Sequence, residues 1–345
     1  MTTIEVARHR TAGEVIGAAR ELVEPALRDA VNSLAPAMRR IAGYHLGWWD
    51  ADGRVIDETG GKSIRPALTL LCAEAVGESV RAAVPAAVAV ELVHNFSLLH
   101  DDVIDRDQTR RHRPTAWTVF GQGDAILAGD ALSTLAADVV AASGHPHALE
   151  GVRMINSTVL ELIDGQSADM AFESRGDVEL AECQAMAASK TGALLGCACA
   201  VGGLFGGGSR DQVLSLGVFG SQLGLAFQFI DDLLGIWGDP AVTGKPVHSD
   251  LSNRKKSLPV VAALNSQTPQ ATELSRLYGG DGDLSAADQA RAAELIDQAG
   301  GRRWSSDQAD VLFDEAISRL ATAGLRAGPV AELAEMARLV TRRDH

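Results

Sequence analysis

Leu98-Leu99-His100-Asp101-Asp102-Val103-Ile104-Asp105-Arg106-Asp107 closes an apolar run that begins near residue 82. Read as one helix over 82–105, the run is about 36 Å long at about 1.5 Å per residue, the span of a whole domain, so it must be central. On such a helix Asp101 and Asp105 stand one above the other at i,i+4, with Asp102 about 100° round the same rim. Crowded carboxylates repel one another and call for a cation. Oxygen-only ligands suit Mg²⁺ or Ca²⁺, and Mg²⁺ usually completes its shell with waters and substrate phosphates. Phe227-Gln228-Phe229-Ile230-Asp231-Asp232 repeats the design. One acid pair is more often a solvated helix end. Two of them, each on a hydrophobic helix, turn the balance toward a metal-dependent site.

The 345 residues are 46% hydrophobic but only 4% aromatic, which favours close-packed helices over a β sandwich. No linker divides the chain, so it reads as one all-α domain over 1–345, with 1–12 a flexible tail. A formal charge of −14 argues against a nucleic-acid partner, whose phosphates need a basic surface. Cys72, Cys183, Cys197 and Cys199 make no CxxC pair and sit among apolar residues, as buried free thiols of a reducing compartment do; the cytoplasm is expected. The mixed charges of residues 1–10 lack the apolar core of a signal peptide. The stretch 191–208 is broken by glycines and lies beside Lys190, which fits a buried helix better than a transmembrane segment.

Helical patterns fill most of the chain. One covers 15–41, interrupted or restarted at Pro25 and Pro36, and is followed by Tyr44, Trp48 and Trp49. Gly60-Gly61-Lys62-Ser63-Ile64-Arg65-Pro66 then places two cations just before a helix over 67–76, a plausible phosphate cradle although no Walker loop. His94 lies seven residues before Asp101 on nearly the same face; alone it reads as a core histidine. Arg110 and Arg111 follow the acids at once. They can pair with the carboxylates or fork onto phosphates, and acids, metal and arginines together suit a diphosphate. Further helices cover 125–142, 149–169 with Gly165-Gln166, and 180–205 with Lys190-Thr191, whose ammonium reads by default as snorkelling to solvent. After the Asp231 helix comes a loop rich in functional residue types: Lys245, Asp250, Arg254, Lys255 and Lys256. A surface turn at 279–283 precedes two closing amphipathic helices.

Gly61-Lys62-x-x-Arg65-Pro66, His94, Asp101-Asp102-x-x-Asp105, Arg110-Arg111, Gly129-Asp130, Gly165-Gln166, Lys190-Thr191, Phe227-Gln228-x-x-Asp231-Asp232 and Gly244-Lys245 resemble, in order and over most of the chain, the trans-isoprenyl diphosphate synthases of the polyprenyl synthetase family. The resemblance implies an all-α isoprenoid synthase bundle around a deep central pocket, usually a homodimer, with the two acid motifs facing each other across its mouth. It implies head-to-tail condensation of isopentenyl diphosphate with an allylic diphosphate. Asp101, Asp105 and Asp231 would hold Mg²⁺, three ions with substrate bound, supported by Asp102 and Asp232. Arg110, Lys190 and Lys245 would grip the allylic diphosphate, and Thr191 and Gln228 would ease the allylic cation. Lys62, Arg65, His94 and Arg111 would hold isopentenyl diphosphate, with Gln166 also at the substrate. Phe96 and Ser97, the fifth and fourth residues before the first motif, would measure product length. One bulky ring beside a small neighbour points to geranylgeranyl diphosphate, C20, with farnesyl diphosphate, C15, as the alternative.

Two positions depart from the family pattern. His112 stands where a glycine usually follows the paired arginines, and Gly235 where the second motif has its third aspartate. With Asp239 farther on, DDxxGxxxD loosely resembles a class I terpene cyclase motif, but a cyclase has no use for Lys62, Arg65 and His94. Asp231 is expected to carry the metal, so Gly235→Asp should alter metal dependence only modestly. A non-catalytic regulatory subunit should have lost its first motif, which is intact here.

Overall fold

Thr11 starts the first helix: its hydroxyl accepts the Glu14 amide at 3.3 Å while the Glu14 carboxylate accepts the Thr11 amide at 2.7 Å, a reciprocal capping box. α1 (Ala12–Asn32) then runs through Pro25 without a break, and only Pro36, at a helix start where its missing N–H is not needed, opens α2 (Pro36–His45). This computed structural model describes residues 9–56, 61, 63–77, 79–240, 247–252, 254–280 and 282–341. From Arg10 onward the expected tail is anchored: its Nε lies 3.0 Å from both Glu332 carboxylate oxygens and its Nη2 2.6 Å from Glu74.

The chain forms two compact units, each assembled from three segments, and the boundaries fall inside helices rather than at a linker. The first takes the described residues of Met1–Val159, Cys197–Gly217 and Leu320–Met336. It holds α1, α2, α3 (Ile64–Val76), α4 (Val84–Ile104), α5 (Ala116–Phe120) and α6 (Gln122–Ala141). A short 3₁₀ turn, Val80–Ala83, leads into α4. α4 carries small and branched apolar residues all round, Ala86, Val88, Ala89, Val90 and Leu92 among them, and is therefore buried on most sides, packed along α6. Among the described residues the strands are a two-residue pair, Thr109–Arg110 antiparallel to Arg113–Pro114. Trp48 is buried under the Arg28 guanidinium, 4.4 Å from its ring centroid, so the aromatic patch after α2 is packing.

The second unit takes the described residues of Leu160–Gly196, Val218–Arg319 and Ala337–His345. α7 (Ala148–Glu173), α9 (Ala193–Phe205) and α10 (Arg210–Trp237) each contribute part of their length to it, and α8 (Leu180–Ala187) all of it. Its core includes Phe229 edge-on to Trp304, with Leu258 and Val261 beside them. The chain closes with three helices, Ala286–Gln298, Gly301–Thr322 and Ala327–Thr341, not two; the break between the first pair is so short that the apolar pattern runs across it.

Among the described residues three stretches, Val80–Ile104, Leu180–Phe205 and Arg210–Trp237, are long and apolar enough to cross a membrane by length and composition, and their most apolar windows are 67%, 72% and 39% buried in this fold. All four cysteines are buried and free.

Candidate functional site

In the first unit, Asp101 and Asp102 occupy the last turn of α4 and Asp105 is its C-cap, with its N–H bonded to the Asp101 carbonyl at 2.8 Å. Arg106 takes a φ of 58°, and the Asp107 N–H returns to the Asp102 carbonyl at 3.0 Å, a closure that glycine more often makes. Three carboxylates thus crowd the negative end of the helix dipole, which sharpens their need for a cation. Asp102 turns inward, 1% exposed, and accepts Arg110 Nε at 2.7 Å. Burial pushes its carboxyl up to about 6 against the pull of Arg110, and its Oδ2 has no hydrogen-bond partner among the described residues. Asp101 is partly exposed and Asp105 exposed.

Beside the acids stands a cationic cluster. Arg65, in the first turn of α3, sets Nη1 3.2 Å from His94 Nε2 on α4. Burial lowers Arg65 to about 10 and, with Arg65, Arg111 and Arg110 nearby, drives His94 well below its usual range. A neutral imidazole beside a guanidinium adds a hydrogen-bonding group without adding repulsion. Arg111 lies against Gly61, where an added Cβ would come within 2.9 Å of its Nη2. His45 is pushed down to about 3 by burial and by Arg111, Arg110 and Arg113. Sequence reasoning missed His45, and with it Glu91 and Asn95, which hydrogen-bond each other at 3.1 Å beside this cluster. Phe96 is 7% exposed and edge-on to His100, ring centroids 4.9 Å apart, and Ser97 Oγ donates to the His94 carbonyl at 2.9 Å.

In the second unit, a π-helical turn, Ala188–Gly192, interrupts the expected continuous helix between α8 and α9. Such turns cluster at functional sites because they re-aim side chains. Glycines let its neighbours in: an added Cβ on Gly165 of α7 would meet Lys190 N at 2.7 Å, and one on Gly224 of α10 would meet Gly192 Cα at 2.8 Å. Thr191 Oγ1 donates to Gln228 Oε1 at 2.5 Å, so two oxygens meet at one point. Gln228 Nε2 in turn donates to Asp232 Oδ1 at 2.7 Å, and the Leu258 N–H donates to Asp232 Oδ2 at 2.9 Å. Burial raises Asp232 to about 6, and Lys255 opposes the rise. Lys190 does not snorkel to solvent: its Nζ donates to Asp169 Oδ2 at 2.6 Å. Gln166 keeps a buried Oε1 without a hydrogen-bond partner among the described residues. Lys62 and Lys245 lie outside the described residues.

Sequence reasoning also missed Asp169 as a site residue, and it named Asp250 and Lys255 only as loop residues of functional type, without a role. Lys255 Nζ lies 3.8 Å from Asp250 Oδ2. Burial works against its charge, yet Asp250, Asp232, Asp169 and Asp231 together hold its ammonium above the usual lysine range. The signals were in the chain: Asp169 stands three residues after Gln166 on α7, and Asp250 and Lys255 fall in the polar loop after α10.

Asp102 and Asp232 are each committed to hydrogen bonds. Among the described residues no three His, Cys, Asp or Glu side chains gather into a ready-made metal cage. Few, oxygen-only protein ligands fit Mg²⁺, which keeps waters and phosphate oxygens in its shell.

Likeness to known proteins makes this all-α chain a prenyltransferase of the isoprenoid synthase type. The chain is a member of the polyprenyl synthetase family, which it matches over residues 52–296. It is 47% identical over 333 residues to a (2E,6E)-farnesyl diphosphate synthase of Mycobacterium bovis, covering 96% of this chain and 93% of that one. It is 46% identical over 297 residues to a geranylgeranyl diphosphate synthase of Mycobacterium tuberculosis, covering 86% and 85%. The crystal structure of a polyprenyl synthetase from Streptomyces coelicolor A3(2) superposes with a TM-score of 0.91 at 45% identity, covering 95% of this chain and 99% of that one.

Proposed function

We propose that the chain joins isopentenyl diphosphate head to tail to allylic diphosphates and that its main product is geranylgeranyl diphosphate, C20. The observation that carries the reading is the Arg65–His94 pair with Arg111 beside it, a cationic site in the first unit that does not depend on the acid motifs. A condensing enzyme needs a second anion site and a cyclase does not. Arg65, His94 and Arg111, with Lys62, would hold isopentenyl diphosphate.

Asp101, Asp105 and Asp231 would hold Mg²⁺, three ions with substrate bound, whose charge stabilises the departing diphosphate more as it develops than in the ground state. Arg110, Lys190 and Lys245 would grip the same leaving group. Asp102 keeps Arg110 in place and Asp169 does the same for Lys190. The touching oxygens of Thr191 and Gln228 would ease the allylic cation. The released diphosphate would take the final proton. A C15 product is the second reading, favoured by the near-complete burial of the Phe96 ring.

The buried free thiols support action in the cytoplasm, and Ile126 and Leu127, 40% and 55% exposed on α6, support a homodimer. Incubation with labelled isopentenyl diphosphate, Mg²⁺ and C5, C10 or C15 primers tests the activity, and chain-length analysis reads the product. Cyclisation of a C15 or C20 diphosphate with no incorporation of label would overturn the proposal.

A further inference from the structure

The two-stranded hairpin pairs Thr109 with Pro114 and Arg110 with Arg113, leaving Arg111 and His112 as its two-residue loop. Both loop residues have positive φ, 52° and 62°, as a type I′ turn requires, and neither is glycine. Two consecutive non-glycine residues in this region are strained, although histidine tolerates it better than most. Something outside the turn has to hold it.

The holding group is Arg113. Its Nη1 donates to the Tyr44 carbonyl at 3.2 Å and its Nη2 to the Trp49 carbonyl at 3.1 Å. Its guanidinium carbon lies 4.5 Å from the centroid of the Tyr44 ring. The Tyr44 hydroxyl closes the loop by donating to the Pro114 carbonyl at 2.8 Å. The second strand of the hairpin is thus clamped, through Arg113 and Pro114, to Tyr44 at the end of α2 and to Trp49 just after it. Arg110 has its own anchor in Asp102, whereas the placement of Arg111 against Gly61 follows from the turn.

We infer that Arg113, acting with Tyr44, is a positioning residue that holds the strained Arg111-His112 turn so that the Arg111 guanidinium is presented to isopentenyl diphosphate, a task that a glycine at position 112 would make easier. This rests on the reading of Arg111 as a contact of that substrate. The side chain of Arg113 is engaged by two carbonyls and a ring.

Calorimetric titration of isopentenyl diphosphate into metal-free protein, together with steady-state kinetics, tests it on wild type, Arg113→Gln, His112→Gly and the double variant. Arg113→Gln should weaken isopentenyl diphosphate binding and raise its KM about tenfold, while the KM of the allylic substrate changes less than about twofold, because a misplaced contact is lost on one substrate only. His112→Gly in the Arg113→Gln background should recover most of the loss, since glycine adopts the turn without strain. If wild type binds isopentenyl diphosphate and Arg113→Gln binds it equally well, the inference fails while the proposed function stands. A matched loss on both substrates with a lower melting temperature and no recovery by glycine also overturns it, as a general packing defect. Wild-type protein that binds no isopentenyl diphosphate removes the proposed function and the inference together.

Discussion

A β-carbon on Gly235 would lie 2.3 Å from Oδ2 of Asp250, so close that one of the two must shift. The carboxylate missing from the second acid motif is therefore not simply absent: the space it would enter is filled by a carboxylate from the helix Ser249–Ser252. Gly235→Asp, expected from the sequence to be mild, should instead force two carboxylates into one place. Turnover should fall about 10²-fold or more, the scale of losing one charge-stabilising group. Adding Asp250→Gly should restore part of it. Unchanged kcat and melting temperature in Gly235→Asp would mean that Asp250 moves aside freely.

Asp101→Ala should lower kcat by at least about 10²–10³ with the fold intact, because an unneutralised diphosphate leaves poorly. Chelation should abolish condensation in wild type as well. Turnover measured with and without EDTA, alongside far-ultraviolet circular dichroism, decides it; full activity in EDTA would remove the metal from the scheme.

The long helices were legible because apolar spacing and breakers are local. Asp101 and Asp231 were legible because their neighbours repeat a pattern on two helices. What escaped depends on distant partners. Lys190 and Asp169 are 21 residues apart and meet at the π turn. Asp250 reads as a loop acid until the bare backbone of Gly235 is seen beneath it. The positive φ of His112 is likewise invisible in a sequence, although the glycine usual at that position hints at it.

His45 offers a test by pH. Its folded value is pushed down to about 3 from 6.5, so between those limits the unfolded chain binds a proton that the folded one does not. Stability should therefore fall as pH drops below 6.5. Asp102 and Asp232, raised to about 6, act in the opposite direction between 3.8 and 6, so the slope belongs to His45 only when compared with a variant. The stability difference between wild type and His45→Gln should shrink by about 1.4 kcal/mol per pH unit on acidification through this window. Denaturant unfolding from pH 7 to 4 measures it, and parallel curves would show that His45 is protonated in the folded chain.

Product length should be read by the face of α4 that lies before the first acid motif. Phe96 sits about 7–8 Å along the helix from Asp101 at about 1.5 Å per residue. Its ring is fixed edge-on against His100, and His100 is held in turn to the Ile126 carbonyl at 3.0 Å, so the ring cannot swing aside easily. Ser97 is small, and its hydroxyl is turned back to the His94 carbonyl. On the proposed reading, such a ring next to a small neighbour would make a partial floor and favour C20. Phe96→Ala should remove that floor and give chains longer than C20. Ser97→Phe should complete it and shift the product toward C15. Chromatography of the dephosphorylated products from both variants reads the outcome directly. If both remain active and keep the wild-type distribution, the floor is built by other residues, and the C20 assignment loses its basis.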